Sequence, residues 1–216
     1  MKRHYVLTCT LLSSVVIFGA PPLQAAWYNS APIQQSKVQL LPLSEAEKAS
    51  VLLMREEEKL AHDVYQAMYE KWGLAIFSNI SRSEAQHMNA MKILIDRYGL
   101  NDPAHTQRGV FTNPTMQNLY DQLVTKGSRS VEDALLVGAE IEDLDIYDLE
   151  RLSKVATQPD IKNTYAQLNK GSRNHLRSFV RWLAQRNIRY IPQYISAEYY
   201  QSIISSAMER GGMRRM

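Results

Sequence analysis

Apolar and polar residues alternate with a helical period over several long segments of the chain. The first segment opens at Ser44, which forms a capping box with Glu47, and its apolar face continues to Trp72. The second begins at Ala75 or Asn79 and continues in step to Tyr98. The pattern therefore predicts two long helices joined by a short turn.

The second half of the chain predicts another helical pair. A polar connection over residues 99–115 comes first, and a short helix is predicted over 115–125. A third long helix is expected from Ser130 to Val155, and a fourth from its cap, Thr157, to about residue 187. No alternating run predicts a strand, so the fold class is all-α, with a short final helix within 188–208.

The start of the chain has the features of a secretory signal peptide over residues 1–25. Basic residues precede an apolar run that is too short and too polar for a stable membrane span, and small residues follow it. We expect an extended lead-in over 26–43, a helical domain over 44–187 and a C-terminal segment over 188–216 that packs on it. The mature protein is then expected to be exported, periplasmic or secreted.

Composition narrows the classes of partner. The single cysteine, Cys9, lies in the predicted signal peptide, so the exported chain is expected to rely on a packed core rather than on disulfides. The formal net charge of +3 falls to about +1 once Lys2 and Arg3 are removed. No basic stripe indicates nucleic-acid binding.

Carboxylates and histidines recur at the spacing of one helix face. Glu84 and His87 are three residues apart on the second predicted helix, and Glu142 and Asp145 repeat that spacing on the third. His175 lies on the fourth. A helical bundle that holds two metal ions is built from inward-facing Glu residues and Glu-x-x-His pairs.

Hairpin geometry places these residues level with one another. Facing residues of two antiparallel helices lie about equally far from the turn, and the midpoint between Glu58 and His87 falls on the predicted turn at 72–73. The midpoint between Glu142 and His175 likewise falls at 158–159. Glu58 adjoins two further acids in a run typical of a solvated face, and Glu57 is the alternative ligand.

Four motifs together resemble a prokaryotic ferritin-like family catalogued as domain of unknown function 2202. The resemblance covers about residues 50 to 185 and rests on Arg55-Glu-Glu-Glu-Lys-Leu-Ala61, Ser83-Glu-Ala-Gln-His-Met88, Ile141-Glu-Asp-Leu-Asp-Ile146 and Gly171-Ser-Arg-Asn-His-Leu-Arg177. It implies a ferritin-like four-helix bundle whose long connection, 99–129, crosses the bundle between its second and third helices.

One position departs from the wider ferritin-like pattern. Ser172 stands where that superfamily usually has Glu, so the fourth helix supplies one strong ligand, and Asp145 is the candidate replacement. Tyr65 lies seven residues after Glu58, as a tyrosine does in ferritins and rubrerythrins. This similarity makes Tyr65 a candidate for contact with a ligand, although its ordinary role would be core packing.

The predicted ligand set is Glu58, Glu84, His87, Glu142, Asp145 and His175. Oxygen-rich mixed ligation favours two iron ions, with manganese or zinc as alternatives. The first hypothesis is a di-iron protein with oxygen- or peroxide-dependent redox activity, which would need a separate electron donor. The second is a structural or binding bundle that holds one ion or none. The sequence leaves a homo-oligomer open.

Overall fold

The computed structural model describes residues 42–210, which form six helices. Within this range the one strand-like pairing is an antiparallel bridge between Ala104 and Phe111. The all-α prediction is confirmed. The predicted signal peptide, most of the lead-in (26–41) and residues 211–216 lie outside the described residues.

The first two helices have the predicted ends. Helix α1 spans Glu45–Trp72 and opens with the capping box of Ser44 and Glu47. Helix α2 spans Ala75–Tyr98. Gly73 and Gly99 follow the two helices with φ of 66° and 63°, a left-handed conformation that glycine adopts without the usual steric cost.

Helix α3, Pro114–Gly127, lies within the long connection and packs against α1 and α4. Helix α4 spans Val131–Val155, and the Ser130 side chain caps it by accepting from the Asp133 N–H. Glu56 of α1 accepts hydrogen bonds from the N–H groups of Thr112 and Asn113, which fixes the connection where α3 begins. The connection is therefore tied to α1.

Helix α5 spans Pro159–Ala184, and its start corrects one prediction. Thr157 is not the cap: Gln158 holds that position and makes no side-chain cap bond. The Thr157 N–H and hydroxyl instead both donate to Glu47 Oε1 at 2.7 Å, which ties the α4–α5 turn to the start of α1. The short final helix is α6, Ala197–Ser205, and it packs against α5.

The four long helices, α1, α2, α4 and α5, form a closed ring of contacts. Helix α1 packs against α2 and α4, and α5 packs against the same two helices. Two apolar clusters fill the interior, one including Tyr65, Phe77 and Phe179 and the other Met54 and Tyr165. On α1, α2 and α5 the predicted site residues lie between segments of these two clusters, and on α4 they lie between Ile141 and Ile146 of the first cluster, so a polar layer interrupts the core.

None of the helices within residues 42–210 is both long enough and apolar enough to cross a membrane.

Candidate metal centre

Each of the four long helices contributes to the polar layer. Helix α1 supplies Glu58, α2 supplies Glu84 and His87, α4 supplies Glu142 and Asp145, and α5 supplies His175. The carboxylates of Glu58, Glu84 and Glu142 are fully buried. Helical spacing explains the convergence, because residues three apart project from one face and both hairpins bring such faces level.

The first group of potential ligands consists of Glu58, Glu84 and His87. His87 Nδ1 lies 2.8 Å from Glu84 Oε2 and 3.1 Å from Glu58 Oε2. The midpoint argument placed Glu58 level with His87, and the structure brings them into contact.

The second group consists of Glu84, Glu142 and His175. His175 Nδ1 lies 2.7 Å from Glu84 Oε1 and 3.4 Å from Glu142 Oε2. The other ring nitrogen, Nε2, lies 3.0 Å from the Ser83 hydroxyl. Ser83 therefore fixes the ring so that Nδ1 faces the carboxylates.

Glu84 belongs to both groups, with one oxygen directed at each histidine. The two imidazole rings are stacked, with centroids 5.6 Å apart and an interplanar angle of 27°. The Glu84 carboxylate therefore connects the two groups of potential ligands.

Several buried polar atoms of the layer lack hydrogen-bond partners within residues 42–210. They are Glu58 Oε1, both oxygens of Glu84, Glu142 Oε2, Asp145 Oδ2 and His175 Nδ1. The short approach of His175 to Glu84 is thus a close contact without hydrogen-bond alignment. Buried charges of this kind are costly unless cations or donors satisfy them, and a native structure rarely leaves several together.

The electrostatics of the layer favour added positive charge. Burial, moderated by the nearby His87, raises the pKa of Glu58 to about 7. Burial disfavours the charged form of His175, but Glu84 and Glu142 outweigh it and raise its pKa to about 10. Burial likewise opposes ionisation of Glu84, but His175 and His87 hold its pKa below the ordinary value.

Asp145 and Glu57 lie beside the two groups rather than in them. Asp145 is buried, and burial together with the charges of Glu58 and Glu142 raises its pKa well above the ordinary value. Glu57, the alternative ligand of α1, is also buried but faces Asp148. The expectation that the acidic run forms a solvated face is wrong: Glu56, Glu57 and Glu58 are all at most 3% exposed.

Tyr65 contacts the second group directly. Its hydroxyl donates to Glu142 Oε1 at 2.6 Å and lies 3.2 Å from the Gly138 carbonyl. The ring packs between Phe77 and Phe179. Tyr65 therefore both fills the core and orients a candidate ligand.

Two residues of α5 near His175 bear on the layer: Ser172, which the sequence had indicated, and Gly171, which it had not. Ser172 is buried and donates to the Leu168 carbonyl, so its hydroxyl is used within the helix. Gly171 makes room for His87: a Cβ there would lie 2.6 Å from Cε1 and Nε2 of the ring. A glycine inside a helix is a weak signal of such a close approach, because its partner lies on another helix.

Fold and site together define an all-helical protein with a buried layer of acids and histidines. The chain belongs to the family described as uncharacterized protein domain DUF2202, whose family model matches residues 47–207. The predicted membership in domain of unknown function 2202 is thereby confirmed.

A curated relative has the same fold. The uncharacterized protein MJ0754 of Methanocaldococcus jannaschii is 54% identical over 171 residues, which cover 79% of this chain and 92% of that protein. A crystal structure of hypothetical protein MJ0754 from Methanococcus jannaschii matches with a TM-score of 0.78 at 52% identity, over 81% of this chain and 100% of that chain.

Proposed function

We propose that the four long helices form a ferritin-like four-helix bundle around a centre for two metal ions. The observation that carries this proposal is Glu84, whose two oxygens face His87 and His175 separately at 2.8 and 2.7 Å. Glu58 and Glu142 would each hold one of the two ions. Asp145 is the candidate for a second carboxylate between them, in place of the acid that Ser172 does not supply.

Charge balance supports two divalent cations. Four buried carboxylates would be balanced by two such ions, whereas two protonated imidazoles would balance only half of them. Oxygen-rich ligation with two imidazoles favours iron, with manganese or zinc as alternatives. Two bound irons would supply redox chemistry with oxygen or peroxide.

The surrounding residues would hold and tune the ligands. Ser83 fixes the ring of His175, and Tyr65 donates to Glu142, so each acts on one member of the second group. The apolar clusters on either side of the layer exclude water, which strengthens electrostatic interactions within it. The chain would thus provide a preorganised and dry site.

The setting of this activity follows from the sequence. The predicted signal peptide supports export, and electrons for turnover would come from a separate donor protein or small reductant. We therefore propose an exported protein with ferroxidase or peroxidase activity.

The proposal is tested by elemental analysis of the mature chain after anaerobic loading with Fe(II). We expect about two irons in the parent and clearly less in His87→Ala and in His175→Ala. His105→Ala is the matched control, because His105 is exposed and outside the layer, and it should keep the parent content. Unchanged iron in both site variants would contradict the assignment. If the variants hold less iron, the loaded parent is assayed for oxygen and peroxide consumption.

A second candidate function is a non-catalytic structural or binding bundle that holds one ion. Ser172 favours it, because the hydroxyl donates to Leu168 and the fourth helix then offers a single strong ligand. One ion per chain without oxygen or peroxide consumption would support this candidate over the redox protein.

A further inference from the structure

A cleft outside the polar layer has the features of a ligand site. It has a volume of about 580 Å³ and opens between α1, α3 and α4, within the usual size range of small-molecule pockets. Its apolar walls are Leu53, Met116, Leu119 and Leu144, and its lining includes two buried acids, Glu57 and Asp148, which are 2% and 7% exposed. An apolar cleft with two convergent acids is suited to an amphipathic ligand.

The two acids differ in what satisfies them. Asp148 accepts a hydrogen bond from Arg151 Nε at 2.8 Å. Glu57 Oε2 is buried and has no hydrogen-bond partner within the described chain. A buried acceptor without a partner calls for a donor, and a cationic donor also offsets the excess of acids over the single arginine.

We propose that this cleft binds a small amphipathic cation, a primary ammonium on a short alkyl chain. The ammonium donates to Glu57 Oε2, and the chain lies against Leu53, Leu119 and Leu144. Glu57 and Leu144 directly precede Glu58 and Asp145, so the cleft adjoins the polar layer without sharing its proposed ligands. The inference goes beyond the proposed function and does not depend on bound metal.

The test uses n-hexylammonium as the probe and the metal-free mature chain. Binding is followed by the methyl NMR resonance of Met116, assigned with Met116→Leu. We expect a saturable shift, at least about tenfold weaker binding in Glu57→Gln because a charge-assisted hydrogen bond is lost, and no binding in Leu119→Trp, which fills the cleft.

Glu45→Gln is the matched control, because it removes an exposed carboxylate of the same helix, and it should bind hexylammonium as the parent does. Hexanoate should bind far more weakly. The inference is overturned if Met116 does not respond to hexylammonium, if hexanoate binds as tightly, or if both cleft variants bind as the parent does. The binding test can be interpreted even if the chain takes up no iron, because the test uses metal-free protein.

Discussion

Asp143 and Asp145 lie two residues apart on α4 and are both buried, yet their surroundings are opposite. Asp143 accepts hydrogen bonds from the Tyr190 hydroxyl at 2.8 Å and from the backbone N–H groups of Gln193 at 2.6 Å and Ile195 at 3.0 Å. Asp145 Oδ2 has no partner among residues 42–210. Asp143 ties the C-terminal segment to α4, whereas Asp145 faces other acids.

The same division separates two regions of the molecule. Outside the polar layer, the buried acids Glu47, Glu56 and Asp63 each accept hydrogen bonds from a turn or from the long connection. In the polar layer, Glu58 and Glu84 have unpartnered oxygens. Burial of an acid therefore does not itself indicate a site, because a buried acid with its donors stabilises the fold. Burial without donors is costly, so such an acid needs a proton, a cation or another donor.

The largest effect on stability is expected at Asp143, a buried acid outside the proposed ligand set that has its hydrogen-bond donors. Asp143→Asn replaces an acceptor oxygen with an NH₂ group that faces other donors, so the free energy of unfolding should fall by about 3 kcal/mol. Urea unfolding measures the loss. Iron content of the folded fraction should not change, and a variant that loses iron at parental stability would erase the distinction between the two acids.

Raising the pH should destabilise the polar layer, whereas lowering the pH should destabilise the hydrogen-bonded acids outside it. Glu58 has a folded pKa of about 7 against an ordinary 4.5, so the folded state retains a proton that the unfolded state releases. Stability of the metal-free protein should therefore fall, on the order of 2 kcal/mol, as pH rises from 5.5 to 8. The raised pKa of His175 acts in the same direction, as its contribution is lost as pH rises toward 10.

Glu47 behaves in the opposite sense, because donors including Thr157 overcome burial and lower its pKa to about 2, so its contribution is lost below pH 4.5. Urea unfolding in chelator at several pH values measures both branches. Glu58→Gln should flatten the upper branch and leave the lower one, and bound metal should abolish the upper branch. A parent with pH-independent stability from 5.5 to 8 would contradict the linkage.

The smallest effect is expected at Asp145. Asp145→Asn removes a buried acid whose raised pKa makes the folded state take up a proton near neutral pH, so the metal-free protein should become more stable by about 1 kcal/mol. The same variant should hold less iron than the parent. Asp143→Asn is its control for both measurements, and a destabilised Asp145→Asn would mean that the carboxylate has a structural role.

Local signals in the sequence were enough to predict most helix ends and the facing of Glu58 and His87. The capping box at Ser44 and the glycines at 73 and 99 are local, and the midpoint of a hairpin depends only on its turn. The acidic run was misjudged because the connection that covers Glu56 lies more than fifty residues away. Thr157 was misjudged because its partner, Glu47, is on another helix.

The ligand role of the layer stays a prediction, and its supporting residues show why sequence alone could not complete it. Ser83 and Gly171 act on histidines of other helices, and neither has a distinctive spacing. Helical spacing singles out Asp145, three residues after Glu142, but it does not show that Asp143 has hydrogen-bond donors and that Asp145 Oδ2 has none. Only the positions of hydrogen-bond donors in the structure distinguish the surroundings of Asp143 from those of Asp145.

The position of the His87 ring is set partly by an atom that α5 does not have. A Cβ at position 171 would overlap the imidazole, so the position of the His87 ring on α2 depends on the absence of a side chain at position 171 on α5. Among related chains, residue 171 is then a marker that can be read without a structure. Where residue 171 is larger than glycine, we expect the imidazole to lie elsewhere or a smaller side chain to replace it.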